Sequence, residues 1–313
     1  MSRYVSATVV ACTVLLTACS GGGDGDGNVQ VASAAADITV DNAPQIAAAV
    51  AESVTTSTDL TFIGEFALPA APVGFSTATD IAPQVLAATF GPESVDCAGG
   101  GMLTLSGSLA VPQSLTVGDG LTFEFDQCDD GMGGVSNGSV GFEIVAFSGD
   151  VTTGMITLTV SMLLETLQID SQHRSGTLNG DLSFTIDTTN LPESFVAISS
   201  SEFSIVSADS AVVLADYIVT MTIDPTLDST TLDSSAVLTG TAFDGELSYV
   251  TSETLTINAG GIPVAGVIEV SGAGDAQLTI RFLGEDRIEL ELDSDGNGTV
   301  DQIILTSWSG LLG

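Results

Sequence analysis

The sequence contains no lysine; its four arginines and single histidine stand against forty Asp and Glu, giving a formal charge of −36 over 313 residues. Phosphate backbones and anionic headgroups repel so acidic a chain, because the summed field opposes every encounter. Nucleic-acid binding is excluded on that ground. Without lysine there is also no Gly-rich phosphate loop of the kind whose lysine reaches the phosphates. One imidazole, His173, cannot build a His-rich zinc site. Aromatics are scarce too: beyond Tyr4 there are only Trp308, Tyr217 and Tyr249 besides phenylalanine, so a stacking platform for sugars has little to build on. Forty acids offer many carboxylate pairs for glycoside hydrolysis, and that abundance singles out none.

What is present begins with one basic residue, Arg3, an apolar run from Tyr4 to Leu16, and then small residues, the order of a secretory leader. The run is shorter than the roughly 20 apolar residues needed to span a bilayer. It ends in Leu16-Thr17-Ala18-Cys19, the spacing of a bacterial lipobox. The expectation is cleavage before Cys19 and acylation of that cysteine with palmitate-type chains, a firm membrane anchor because each buried CH₂ contributes about 0.8 kcal/mol. Residue 20 is Ser where an Asp would hold a lipoprotein at the inner membrane, so the outer membrane of a bacterial envelope is the expected location. Residues 1–18 read as leader, 19–36 as a Gly- and Asp-rich tether, and 37–313 as a single β-rich domain with an N-terminal helix. Cys12 lies in the leader and leaves with it.

Cys97 and Cys128 are then the thiols left besides the anchor, in a compartment where disulfides persist. Their pairing would close a loop of about 30 residues, worth some 3–4 kcal/mol in the chain-entropy account.

Asp41 or Asn42 can cap a helix whose first turn holds Pro44 and whose face carries Ile46, Val50 and Val54; a second helical piece is expected near Asp80 to Ala88. From Leu103 the pattern turns to period two. Ile156, Leu158, Val160, Met162 and Leu164 alternate with Thr157, Thr159 and Ser161; Leu278, Ile280 and Phe282 alternate with Gln277, Thr279 and Arg281. One face apolar and the other wet is the mark of antiparallel sheet. Asn137-Gly138, Asn179-Gly180 and Asp244-Gly245 read as tight turns. The fold expected is all-β: a large antiparallel meander curled into a barrel, half-barrel or sandwich, with the helix on or in its concave apolar face.

The run Asp96-Cys97-Ala98-Gly99-Gly100-Gly101, then Phe123-Glu124-Phe125-Asp126-Gln127-Cys128 and Ser136-Asn137-Gly138-Ser139, resembles a recurrent pattern in uncharacterised proteobacterial lipoproteins. These proteins are also similar in carrying a lipobox, a Gly-rich tether and an Asn-Ala-rich helix like Asp41-Asn42-Ala43. The resemblance implies the β topology and the disulfide and brings no catalytic residues.

Local chemistry offers three candidates. His173, in Asp170-Ser171-Gln172-His173-Arg174-Ser175-Gly176, is read as a solvated turn residue without an accompanying serine elbow. Arg281 should stand opposite Glu289 across a Gly284-Glu285-Asp286 turn as a cross-strand ion pair. In Asp293-Ser294-Asp295-Gly296-Asn297-Gly298-Thr299-Val300-Asp301, the oxygens of Asp293, Asp295, Asn297, Thr299 and Asp301 follow the first nine positions of an EF-hand loop, with calcium as the structural ion. Ile304 replaces the closing Glu and the flanks look like strands. A polar turn selected for backbone reasons fits the same residues, and both readings stand.

Two functional classes remain: a non-enzymatic envelope or surface protein that binds or scaffolds another envelope protein, and a carrier holding a lipid or other hydrophobic small molecule in the concave face. An enzyme without a recognisable motif comes third.

Overall fold

The computed structural model describes residues 34–66, 89–108, 116–129, 131, 134–150, 153–170, 175–207, 210–227, 229–258 and 261–312. Cys19, His173 and the expected helical piece at Asp80 to Ala88 lie outside the described residues. Helix α1 spans Ala43–Phe66. Fourteen strands follow: β1 Thr89–Asp96, β2 Gly100–Ser108, β3 Gly120–Asp129, β4 Val135–Asp150, β5 Met155–Asp170, β6 Ser175–Asp187 and β7 Ser194–Ser207. Then come β8 Ala211–Asp224, β9 Ser229–Gly240, β10 Phe243–Asn258, β11 Pro263–Ser271, β12 Gln277–Phe282, β13 Arg287–Asp293 and β14 Gln302–Ser307, with a closing helix α2 at Trp308–Leu312.

Each strand pairs with its neighbours in sequence, giving one 14-stranded antiparallel meander with β1 and β14 at its edges. The sheet is not closed, so of the three expected forms the closed barrel is the one corrected. The alternation expected from sequence sets its faces. Ile156, Leu158, Val160, Met162 and Leu164 are buried while Ser161 and Leu163 face water, and Leu278, Ile280, Phe282, Ile288, Leu290 and Leu292 are buried on the same side. Each such side chain contributes about 1.5–3 kcal/mol when fully buried.

Helix α1 fills that apolar side. At about 100° per residue its buried positions, from Thr56 round to Ala51, span an arc of roughly 220°. A surface helix buries a narrower stripe, so the single stripe of Ile46, Val50 and Val54 understates how far α1 is enclosed. Asn42 precedes the helix, but its side-chain Oδ1 accepts from Thr39 N–H at 2.8 Å, and its main-chain carbonyl accepts from Ile46 N–H. Helix α2 folds back against α1, and its Trp308 ring sits 5.7 Å from that of Phe282. Residues 34–36, placed by the sequence in the tether, join the sheet: Ala36 N–H donates to Glu246 O at 2.8 Å, and Ala36 is buried.

The Asn-Gly and Asp-Gly dipeptides are not hairpin turns. Asn137-Gly138 lies inside β4, Asn179-Gly180 inside β6 and Asp244-Gly245 near the start of β10. The register breaks at Phe125/Cys128, Asn137/Ser139, Leu164/Leu167, Gly180/Ser183 and Ala215/Ile218, which puts the extra residues on β3, β5, β7 and β8, a row of bulges across the middle of the sheet. The backbone turns to positive φ at Gln127 (49°), Thr166 (48°) and Asp216 (50°) on the bulged strands β3, β5 and β8, and at Gly138 (99°) and Gly180 (138°) on β4 and β6 beside them. The asparagine beside each glycine caps the amide that the bulge orphans next door. Asn137 Oδ1 accepts from Gln127 N–H at 2.8 Å, and Asn179 Oδ1 accepts from Thr166 N–H at 2.7 Å. Bulges bend strands and increase twist, which lets a sheet this wide curl around α1.

Cys97 and Cys128 form the expected disulfide, with Cα atoms 5.4 Å apart, tying the turn after β1 to β3. Arg281 stands opposite Glu289 as expected, yet its guanidinium reaches diagonally to Glu291 at 3.6 Å. The longer diagonal suits the reach of the side chain, and the pair is exposed enough to add no more than about 1 kcal/mol.

At Gly180 a Cβ would need a residue to hold φ at +138° and would meet the Glu202 carbonyl at 2.7 Å. Gly180→Ala is expected to lower unfolding free energy by about 2 kcal/mol or more. Gly141→Ala, where the nearest atom is 3.8 Å away, should be neutral or stabilising by up to about 1 kcal/mol. Urea melts of the two variants returning equal midpoints would contradict the strained-bulge account.

Candidate functional site

Three places in the fold concentrate polar chemistry. The first is buried, where α1 meets the sheet. Ser53 and Ser57 lie one turn apart on the helix, on the stripe that carries Val50 and Val54, and both are fully buried. Tyr249 OH lies 2.9 Å from Ser53 Oγ and 2.8 Å from Ser234 Oγ, while Tyr217 OH bonds Ser57 Oγ. Ser53 Oγ donates to Val50 O at 2.8 Å and Ser57 Oγ to Ser53 O at 2.8 Å. The donors therefore run one way: Ser234 to Tyr249, Tyr249 to Ser53, Ser53 to the helix backbone. Five side-chain hydroxyls on α1, β8, β9 and β10 satisfy one another in an apolar surround, where an unmet hydroxyl costs about 1–3 kcal/mol.

This network was not foreseen. Its sequence signal was two serines at i and i+4 on an apolar helix stripe, together with tyrosines in phase with buried strand positions. The same burial settles the aromatic platform: Tyr217, Tyr249 and Trp308 are all inside, so none offers a face to a sugar.

The second place is the β13–β14 loop. The carboxylates of Asp293, Asp295 and Asp301 come within 4.8 Å of one another, so three of the five expected ligands converge. Asn297 Oδ1 accepts from Thr299 N–H at 2.8 Å, a bond that leaves the Thr299 carbonyl unengaged by it. The loop also hydrogen-bonds its own acids. Asp293 accepts from Asn297 N–H at 3.2 Å and Gly298 N–H at 2.7 Å, and Asp301 Oδ2 accepts from Ser294 Oγ at 2.6 Å and its N–H at 2.9 Å. The Ser294 hydroxyl, then its amide, pulls the Asp301 carboxyl below the ordinary aspartate range. As expected, the flanks are strands and not helices.

The third is a shallow depression of about 460 Å³ on the wet face of β5 to β8. Ser161, Ser183 and Ser199 stand opposite one another there, between Asp181, Asp216 and Ile218. Among the described residues no imidazole or amine stands beside these serines. Gly134-Val135-Ser136-Asn137-Gly138 does have the spacing of a nucleophile elbow, contrary to the sequence reading. The structure puts Ser136 in the extended run of β4, paired with Cys128 and Ile169, and not on the strand-to-helix turn that makes such a serine reactive.

No protein-family model matches the chain, and no curated protein or solved structure is significantly similar to it.

Burial raises the Tyr249 phenol above its ordinary value, an effect only partly offset by the Ser234 and Ser53 hydrogen bonds. A raised folded value holds the proton more tightly than the unfolded chain does, so the stability it carries is intact below about pH 10 and falls as pH rises beyond that. Tyrosinate absorbance from Tyr249 should therefore appear only together with loss of the β-sheet circular dichroism. A reversible tyrosinate step for every tyrosine near pH 10 with the fold intact would contradict the buried network.

Proposed function

We propose that this protein is a lipid-anchored extracytoplasmic lipoprotein, held at the bacterial outer membrane through Cys19, which acts by binding or scaffolding another envelope component and not by catalysis. The observation that carries the scaffold reading over the carrier reading is the position of α1. A carrier needs open volume of about 300–1,000 Å³ on the apolar face. Here α1 takes up that face opposite β7 to β13, bolted by Tyr217 and Tyr249. A helix held by a closed set of buried hydroxyls is costly to displace, so it serves as permanent filling rather than as a lid. The anchor rests on the lipobox and on the resemblance to uncharacterised proteobacterial lipoproteins. The non-catalytic reading is supported by Ser136, whose Gly-x-Ser-x-Gly run lies in the extended β4 and not on a strand-to-helix turn.

The test combines fractionation with intact-mass measurement of protein extracted from membranes. The native chain should carry covalent acyl mass on Cys19 and no non-covalent lipid at stoichiometric amount, whereas Cys19→Ser should lose the acyl mass and stay uncut or soluble. An unchanged membrane fraction for Cys19→Ser would overturn the anchor, and one tightly held lipid per chain would return the carrier.

Calcium in the β13–β14 loop is a second proposal, favoured by the convergence of Asp293, Asp295 and Asp301. Three carboxylates this close repel one another, and a hard cation with oxygen ligands relieves that repulsion, with affinity in the range of about 10⁻⁴ to 10⁻³ M seen for extracellular modules. The competing account is that amides and the Ser294 hydroxyl suffice. Thermal melts in chelator and in millimolar calcium should differ for the native chain and coincide for Asp295→Ala. A native melt indifferent to calcium would leave the loop as a polar turn.

A further inference from the structure

The two edges of the sheet are not alike. β1 carries Pro92, Glu93 and Asp96 along its length, and proline and charge are what discourage a foreign strand from docking. β14 reads Gln302-Ile303-Ile304-Leu305-Thr306-Ser307, with no charge and no proline. It pairs with β13 on one side and, among the described residues, with nothing on the other. Leu305 is 72% and Ile303 55% exposed. The register places Leu305 opposite Glu289 and Ile303 opposite Glu291 on the wet face, while Ile304 lies opposite Leu290 on the apolar one. An uncharged apolar lip is thus set beside acidic neighbours.

We infer that β14 pairs with β14 of a second copy of this chain, antiparallel and centred on Ile304. The strand is chemically palindromic about that residue. In a two-fold pairing centred there, Ile303 of each copy faces Leu305 of the other, Gln302 faces Thr306, and Ile304 faces itself. Both apolar pairs then fall on one face and shield each other from water. Two bodies of formal charge −36 can approach only where acids are not brought face to face, and this register meets the condition. The first acid it reaches, Asp301, falls opposite Ser307 and already accepts hydrogen bonds from Ser294. Pairing β14 with β1 of another copy would instead bring Glu93 and Asp96 to the seam. The contact is one short strand on each side, smaller than the roughly 1,600 Å² of a standard stable interface. Dimerisation is therefore weak, and it strengthens with protein concentration and with salt, which screens the mutual repulsion.

The test uses the full chain in mild detergent and does not depend on the anchor or the binding role proposed above. Antiparallel partners sit about 4.5–5.5 Å apart at Cα, within the span a disulfide bridges. Under mild oxidation Ile304→Cys should give a covalent dimer whose cross-linked peptide joins 304 to 304, while the unsubstituted chain treated alike does not. Ile303→Cys mixed with Leu305→Cys should cross-link several-fold more than either variant alone, which fixes the register. Sedimentation of the unsubstituted chain should show a dimer fraction that rises at 1 M salt, and Leu305→Glu should abolish it without changing the thermal melt. A monomer at every concentration and salt, or a mixture that cross-links no better than its components, overturns the inference and leaves the edge to a strand of another protein.

Discussion

The enclosure of α1 by the sheet is the constraint on which the rest of this structure depends. A sheet of fourteen strands, most of them with one apolar face, cannot remain flat in water, and a meander that curls without closing encloses space that side chains alone do not fill. Ile46, Val50, Val54 and Leu60 fill it from α1, while Ala43, Ala47 and Ala51 keep the helix slim enough to fit. The sheet has no comparable core without the helix. The helix in turn buries a wide arc that would be exposed if it stood alone in water.

That arrangement makes specificity as important as burial. An alanine-rich helix against aliphatic strands could slide or rotate at little cost, because dispersion contacts are non-directional. Hydroxyl bonds are directional. Ser53 meets Tyr249 and Ser57 meets Tyr217, two anchors one turn apart that fix both the rotation and the axial position of α1. Tyr217 in turn stacks on Phe203, with ring centroids 6.1 Å apart, so the hydroxyl anchor is seated in packed core. The line of bulges does the complementary work on the sheet. It shifts the phase of β3, β5, β7 and β8 at one level, so that the apolar side keeps facing inward as the strands bend.

The fold class was legible because period-two alternation is a direct consequence of a half-buried strand, and it ran through β5, β6, β12 and β13 with scarcely a break. The disulfide was legible from count, since Cys97 and Cys128 are the cysteines left outside the expected leader and its lipobox. Asn-Gly was misread because the hairpin turn and the bulge ask for the same backbone freedom: both need a residue that accepts positive φ, and only the partner strand tells them apart. A distinguishing mark was present. Buried positions step by three instead of two from Leu164 to Leu167, from Ser200 to Phe203 and from Leu214 to Tyr217, which is what one inserted residue does to an alternating strand. The buried hydroxyls were hidden for another reason. Their partners are 160 and 196 positions apart in the chain, and no local pattern announces a contact of that range.

The near absence of cations shapes how the acids are held. With no lysine and so few arginines, carboxylates cannot rely on ion pairs, and hydroxyls and amides take the place of ammonium groups. Asp187 Oδ1 accepts from Thr189 Oγ1 at 2.6 Å and its N–H at 2.9 Å; Asp224 does the same with Thr226, at 2.6 and 2.8 Å. Asp286 accepts from the Ser309 hydroxyl at 2.7 Å and amide at 3.0 Å, and so fastens α2 to the β12–β13 turn. In each case the hydroxyl first, and the amide second, draws the carboxyl below the ordinary aspartate range. A hydroxyl fixes an acid in place without neutralising it, so the charge remains on the surface while the turn is ordered. Turn geometry is thereby secured locally, and the molecule keeps its strongly negative field. Such a field opposes non-specific contact with anionic surfaces and with other copies of the chain, and it confines association to stretches such as β14 where no acid is set along the strand.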